Sequence, residues 1–231
     1  MSKIAIVTGA SRGIGYQTSL ALAEKGHSVI ATARSKEDLL SLAEHYPDLI
    51  RAFPADLTEE KDINRLTEEV SNTYGDLDIL VNNAGALINK SFENLTKDDW
   101  LKMINVNLLT AVDLTRSLLP CFREHAHIVN ISSMGGYQGS DKFPGLSAYS
   151  AAKGALSILS ECLSVELNDR NISSNTLCLG AVQTEMLDEA FPGFNAPVSS
   201  EEMGTYIADF ALAGSKFYNG QVLPVTLGNP E

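Results

Sequence analysis

Short runs rich in Ile, Val and Leu alternate with helix-period segments from one end of this chain to the other. No other feature restricts the fold as tightly. Parallel neighbours need a crossover connection, so strand–helix–strand repeated along a chain is the mark of a parallel sheet with helices on both faces. Strands are expected at 4–8, 28–33, 50–54, 79–82, 127–132, 174–178 and 221–225, with helices at about 13–24, 36–44, 59–74, 97–123, 147–168 and 200–210. Continuous apolar stretches such as IAIV and DILV fit strands buried on both faces. The segment 185–199 (EMLDEAFPGFNAPVS) breaks this rhythm with Pro192, Gly193 and Pro197, and reads as a loop or short irregular helix suited to act as a lid.

At 231 residues and 44% hydrophobic content, with no repeat and no linker, the chain fits one large core and a single domain over 1–231. No apolar run approaches the roughly 20 residues that cross a bilayer. MSKIAIVTGA passes straight into an expected strand, which leaves no room for a signal peptide and points to a cytoplasmic protein. The formal net charge of -12 opposes nucleic acid or an anionic membrane as partner. Cys121, Cys162 and Cys178, odd in number and widely spaced, fit reduced core thiols. Neither they nor the histidines have metal-ligand spacing, and no metal site is expected.

Two short patterns carry chemistry. The expected strand IAIVT runs into Gly9, Gly13 and Gly15 and then into a helix, a context in which backbone N–H groups cradle a pyrophosphate. The spacing differs from the common dinucleotide fingerprint, and glycines in a turn are often only turn formers. Further on, Tyr149 and Lys153 stand four residues apart in SAYSAAKGAL, on one face of an expected helix. A phenol titrates near about 10, so proton transfer near neutrality calls for a cation that stabilises the phenolate. Lys153 is placed to be that cation; the alternative is a solvated surface pair.

Taken in order, the motifs resemble the short-chain dehydrogenase/reductase family over nearly the whole chain. TGASRGIG is similar to its cofactor turn, with Gly9, Ser11, Arg12, Gly13, Ile14 and Gly15 as contacts. Asp56 and Leu57 resemble its adenine-side pair, and NNAG, with Asn83, Ala84 and Gly85, its strand-four motif. Asn107 in VNLL, Ser133 in NISS, and Tyr149 with Lys153 follow in the family's order. The resemblance implies a doubly wound, Rossmann-like α/β fold of seven parallel strands, with a nicotinamide cofactor at the carboxyl edge. It also implies that Tyr149 is the general acid in reduction and base in oxidation, that Lys153 bonds the nicotinamide ribose, and that Asn107 kinks its helix and holds a water against the lysine.

Ser133 is the serine that orients the substrate oxygen by this resemblance, with its neighbour Ser132 the alternative. The loop between Ser133 and Tyr149 is longer than in typical members. Gly180, Val182 and Thr184 match the segment that meets the nicotinamide, with one departure: Leu179 stands where the family usually has proline, so a less rigid loop is expected.

The cofactor expected is NADP (NADPH) in preference to NAD. An NAD-preferring fold carries an acid at the end of the second strand, where this chain has Ala33 followed by Arg34. Arg34 and Arg12 are expected to converge on the 2′-phosphate; the alternative is two solvated charges. Phe143, Leu146, Met186, Phe191 and Phe194 are candidates for an apolar pocket. The reading is a reversible NADPH-dependent carbonyl reductase acting on a small carbonyl or alcohol compound. A dinucleotide-binding sensor or scaffold of the same fold is the alternative. Apolar stripes in 108–119 and 152–163 are either core or contacts with a second subunit, and the family commonly forms homodimers and homotetramers.

Overall fold

A computed structural model describes residues 2–227. Seven strands form one parallel sheet: β1 (Ile4–Thr8), β2 (Ser28–Ala33), β3 (Ile50–Pro54), β4 (Leu77–Asn82), β5 (Phe122–Ser133), β6 (Ser173–Leu179) and β9 (Val222–Val225). Their order is β3-β2-β1-β4-β5-β6-β9. The helices are α1 (Gly13–Glu24), α2 (Lys36–Glu44), α3 (Glu60–Thr73), α4 (Lys97–Ile104), α5 (Thr110–Leu118), α6 (Ser147–Glu166), α7 (Glu185–Ala190) and α8 (Ser200–Ala213). The order reverses between β1 and β4, and the crevice beyond their carboxyl ends is where such sheets bind ligands.

The two-residue alternation along each strand separates two cores. Ala5, Val7, Val29, Ala31, Ile79 and Val81 face one side, with Leu22 of α1, Leu39 and Leu42 of α2 and Ile207 of α8. Ile6, Ile30, Leu80 and Ile128 face the other, with Leu66 and Val70 of α3 and Leu114 and Leu118 of α5. His127, fully buried in β5, lies 3.0 Å through Nδ1 from the Ala211 carbonyl and 3.0 Å through Nε2 from the Asn175 amide, tying α8 to the sheet. Burial pulls its pKa down to about 4, so the ring is neutral.

The long helix expected over 97–123 is not continuous. A Thr96–Asp99 capping box opens α4, a π-helical turn spans Asn105–Leu109, α5 follows, and a single 3-10 turn carries Pro120. Phe122 and Arg123 belong to β5, where Phe122 pairs with Leu77 beside an irregularity in the ladder. Proline has no N–H to continue a helix, and apolar patterning alone does not separate a buried strand start from a buried helix end.

The segment expected to be irregular contains α7, and its far end, β8 (Val198–Ser199), pairs with β7 (Val182–Gln183) in a two-stranded ribbon. Cys121 and Cys178 are buried, but Cys162 is exposed on α6, so it is not a core thiol. No helix among the described residues is long and apolar enough to cross a membrane.

Candidate active site

A cleft of about 1530 Å³ lies at the carboxyl edge of the sheet. Every site residue expected from the sequence is on its wall except Gly15. Gly15 packs behind the wall: a Cβ there would lie 2.4 Å from the Gly9 carbonyl oxygen and 2.5 Å from Asn83 Nδ2. Its part is to let α1 approach the strand ends, not to touch a ligand.

The turn after β1 is fastened to the turn after β4. Thr8 Oγ1 accepts from the backbone N–H groups of Asn83 and Ala84, each at 2.9 Å, and Asn83 Nδ2 donates to the Thr8 carbonyl at 2.9 Å. Thr8 was missed from the sequence, although a hydroxyl ending an otherwise apolar strand was its signal. Gly9 and Gly13 adopt φ of 67° and 57°, which turns the chain into α1 with its first N–H groups facing the cleft. Ser11, Arg12 and Ile14 complete this wall.

Arg34 follows the end of β2 and borders the cleft with Ser35, Asp38, Asp56 and Leu57. Thr58 donates to Asp56 Oδ1 through its hydroxyl at 2.7 Å and its N–H at 3.0 Å. These bonds, aided by the Arg34 charge, hold the Asp56 carboxyl below the usual carboxylate range. Arg12 lines the same cleft as Arg34 but, unlike it, has carboxylate partners within ion-pair reach. Its guanidinium pairs with Glu185 at 3.5 Å and Glu189 at 3.4 Å, because α7 brings two carboxylates onto one side of the glycine turn.

At the other end, β5 delivers two serines with different tasks. Ser132 Oγ is buried, donates to the Lys153 carbonyl at 2.9 Å and accepts from Ser157 Oγ at 3.2 Å. Ser133 Oγ accepts from the Gly135 N–H at 3.1 Å and lies near enough to the Tyr149 phenol to favour its ionised form. Both serines border the cleft, but Ser132 Oγ is committed to the backbone of α6 whereas Ser133 is the less buried of the two.

Lys153 reaches back under the cleft. Its Nζ donates to the Ile131 carbonyl at 2.8 Å and lies 5.9 Å from the centre of the Tyr149 ring. Burial pulls this ammonium down to about 8. Burial also pushes Tyr149 up to about 12, with the Ser133 hydroxyl acting in the opposite direction. From the sequence, Lys153 and the positive nicotinamide of the oxidised cofactor together favour the phenolate; the protein's own burial of the phenol acts in the other direction. The ammonium is directed to a backbone carbonyl and the phenol is half-buried in the cleft wall, so desolvation of the phenolate outweighs the Ser133 contribution.

Asn107 sits in the π-helical turn, 1% exposed. Its Nδ2 donates to the carbonyls of Ala86 at 2.9 Å and Met103 at 3.0 Å, and its Oδ1 accepts from the Ala86 N–H at 3.2 Å. This helix irregularity was expected, and its partner is the loop after β4. A Cβ on Gly85 would stand 2.8 Å from Asn107 Oδ1 and 3.4 Å from Lys153 Nζ. The missing side chain keeps the floor of the cleft open beside both groups, as a flat ring laid there requires. The residues present therefore fit a dinucleotide: anion-facing N–H groups at one end, an open floor in the middle and proton-bearing side chains at the other.

Leu179 lies within the sheet, one residue before the loop. It continues β6, paired with Ser133 and Val225, and the next residue, Gly180, donates its N–H to the Val225 carbonyl at 2.9 Å. Val182 and Thr184 lie beyond it, and Thr184 Oγ1 caps α7 by accepting from the Leu187 N–H at 3.2 Å. The lid has a tie that was not anticipated: Asn89 Nδ2, in the loop after β4, donates to the Ala190 carbonyl at 2.9 Å. No group of three or more His, Cys, Asp or Glu side chains among the described residues is placed to hold a metal.

Comparison with known proteins bears on the family and the fold. The sequence profile of the short chain dehydrogenase family matches residues 3–193. The chain belongs to that family of oxidoreductases. It is 32% identical over 244 residues to the 3-oxoacyl-[acyl-carrier-protein] reductase FabG of Thermotoga maritima, covering 98% of this chain and 97% of that protein. It is also 32% identical to the oxidoreductase BOA17 of Botryotinia fuckeliana, over 99% of this chain and 83% of that one. Among solved structures, a 3-ketoacyl-(acyl-carrier-protein) reductase of Brucella melitensis complexed with NADH superimposes with a TM-score of 0.88 at 25% identity, each chain covered to 96%.

Proposed function

We propose that this chain is an NADPH-dependent carbonyl reductase of one dinucleotide-binding and catalytic domain, reversible as an alcohol dehydrogenase, with Tyr149 as its proton donor. The observation that carries the reading is one shared cleft: the half-buried Tyr149 phenol lines it together with Ser133 and Lys153, and the glycine turn after β1 lines it at the other end. A neutral phenol is the form required to protonate an alkoxide.

NADPH, when bound, supplies the hydride. The chain does the rest. The first N–H groups of α1 and the fastened β1 and β4 turns hold the pyrophosphate, and Thr184 holds the carboxamide end. Arg34 takes the 2′-phosphate where an NAD-preferring fold carries an acid. Ser133 donates to the carbonyl oxygen as negative charge grows there, and Tyr149 passes its proton to the same oxygen. Lys153 sets the field beneath the phenol, and Asn107 fixes the floor loop against which the lysine packs. Exposed Leu101, Leu109, Ile158 and Val165 on α4, the π-helical turn and α6 support assembly as a homodimer or homotetramer. The relatives named as reductases of carrier-bound 3-oxoacyl groups support a ketone as the reacting group, in a soluble cytoplasmic enzyme.

Replacing Tyr149 with Phe should lower kcat for NADPH-dependent reduction by about a thousandfold while leaving NADPH binding intact. Reduction by the wild type should be level through neutrality and decline as the pH rises past about 8, because Lys153 then loses its charge and Tyr149 next loses its proton. Unchanged turnover of a panel of ketones, quinones and keto esters by the Phe variant would end this reading.

A further inference from the structure

The substrate end of the cleft differs in kind from the rest of its wall. Phe143 and Leu146 from the loop before α6, and Met186, Leu187, Phe191 and Phe194 from the lid, all border the same cavity as Tyr149. Hydrogen bonds between loops hold this roof: Asn89 to the Ala190 carbonyl, the Lys90 N–H to the Gly145 carbonyl at 2.9 Å, and the Ala196 N–H to Gln183 Oε1 at 2.8 Å.

The charges around it are unevenly distributed. The cations on the cavity wall are Arg12, Arg34, Lys102 and Lys153. Arg12 is engaged by Glu185 and Glu189, Lys153 by the Ile131 carbonyl, and Arg34 lies beside Asp56 at the far end. Lys102 stands exposed on α4. Two nearby cations off the wall are also committed: Lys90 pairs with Asp99 at 2.8 Å, and Lys142 donates to the Tyr137 carbonyl and Ser140. The lid itself carries Glu185, Asp188 and Glu189 against the single guanidinium of Arg12. A carboxylate entering here would leave water for apolar side chains and meet a net negative lid. Apart from Arg34 at the far end, Lys102, solvated on α4, is the one wall cation whose side chain has no ion pair or hydrogen bond among the described residues.

We propose that this pocket selects uncharged, apolar carbonyl compounds and discriminates against those bearing a carboxylate, with the six apolar side chains as its wall and the lid carboxylates as its electrostatic filter. The proposal rests on the reductase reading for the word carbonyl, but its charge selectivity does not depend on turnover.

The test is calorimetric titration of the NADPH-loaded protein with octanamide and with octanoate, ligands of matched shape that cannot be reduced under these conditions. Octanamide should bind about tenfold or more tightly than octanoate. Met186→Lys should reverse the order, and Glu185→Gln with Glu189→Gln should narrow the gap, with NADPH affinity measured alongside. Equal or tighter binding of octanoate overturns the proposal, and a preference for octanoate that disappears in Lys102→Ala identifies Lys102 as the anion site that replaces it. Failure of both ligands to bind overturns it as well, because the apolar wall is then not a ligand site. If the amide preference holds while no carbonyl compound is reduced, the reductase reading fails and the selectivity stands.

Discussion

Where the cleft meets the ends of β1, β2 and β4, its wall is largely backbone, locked by Thr8 and Asn83 and backed by the close contact of Gly15 with Gly9. Where it meets the loop before α6 and the lid, its wall is side chains, and few hydrogen bonds between loops hold it in place. The first end admits little variation, since moving a strand end moves the core beneath it. The second can change its lining without disturbing the sheet. A cofactor common to many enzymes suits the first, and a particular substrate suits the second.

Three substitutions would break or sharpen this contrast. Gly15→Ala should have the largest effect, because the new methyl overlaps the Gly9 carbonyl and the Asn83 amide. A loss of about 2 kcal/mol in urea unfolding is expected, together with weakened NADPH binding. A fully stable variant would show that the cofactor end is looser than its contacts imply. Arg34→Asp should raise KM for NADPH by about tenfold and leave KM for NADH nearly unchanged, without loss of stability. Equal effects on both cofactors would remove Arg34 from the phosphate site. The smallest effect belongs to Asn89→Ala, which cuts the tie to the Ala190 carbonyl. Substrate KM should rise about threefold, with the melting temperature and KM for NADPH unmoved. A change in cofactor binding instead would mean that the two ends are mechanically joined.

Much of the architecture was legible in the chain. The strands at 4–8, 28–33 and 50–54 and the helices at 13–24 and 36–44 have the bounds their patterning indicates, because apolar alternation and Gly or Ser punctuation coincide there. Legibility failed where tertiary contacts override local pattern. Asn107 could be flagged as a poor helix residue, but its partner, the Ala86 backbone, lies across the fold, and only that contact explains the π-helical turn. The same holds for the strand beginning at Phe122, whose pairing with Leu77 local sequence does not announce.

The site divides along similar lines. Tyr149, Lys153 and Ser133 were visible as residue types at suggestive spacings, whereas their protonation was not. A pKa is set by everything packed around a group, and burial adds an upward push on the phenol that the Tyr149 and Lys153 spacing did not announce. Arg12 shows the same lesson in ionic form: its charge was plain in the turn, but its engagement by Glu185 and Glu189 depends on where α7 docks.

By itself, the sequence determined the alternating α/β order, the family, and which side chains are available for proton transfer and anion contact, since these follow from periodicity, glycine placement and residue chemistry along the chain. Only the tertiary structure decided what each serine is hydrogen-bonded to, which charges are already paired, and how deeply Tyr149 and Lys153 are set into the cleft wall. Those properties arise from distances and desolvation between segments far apart in the chain, and no local pattern encodes them.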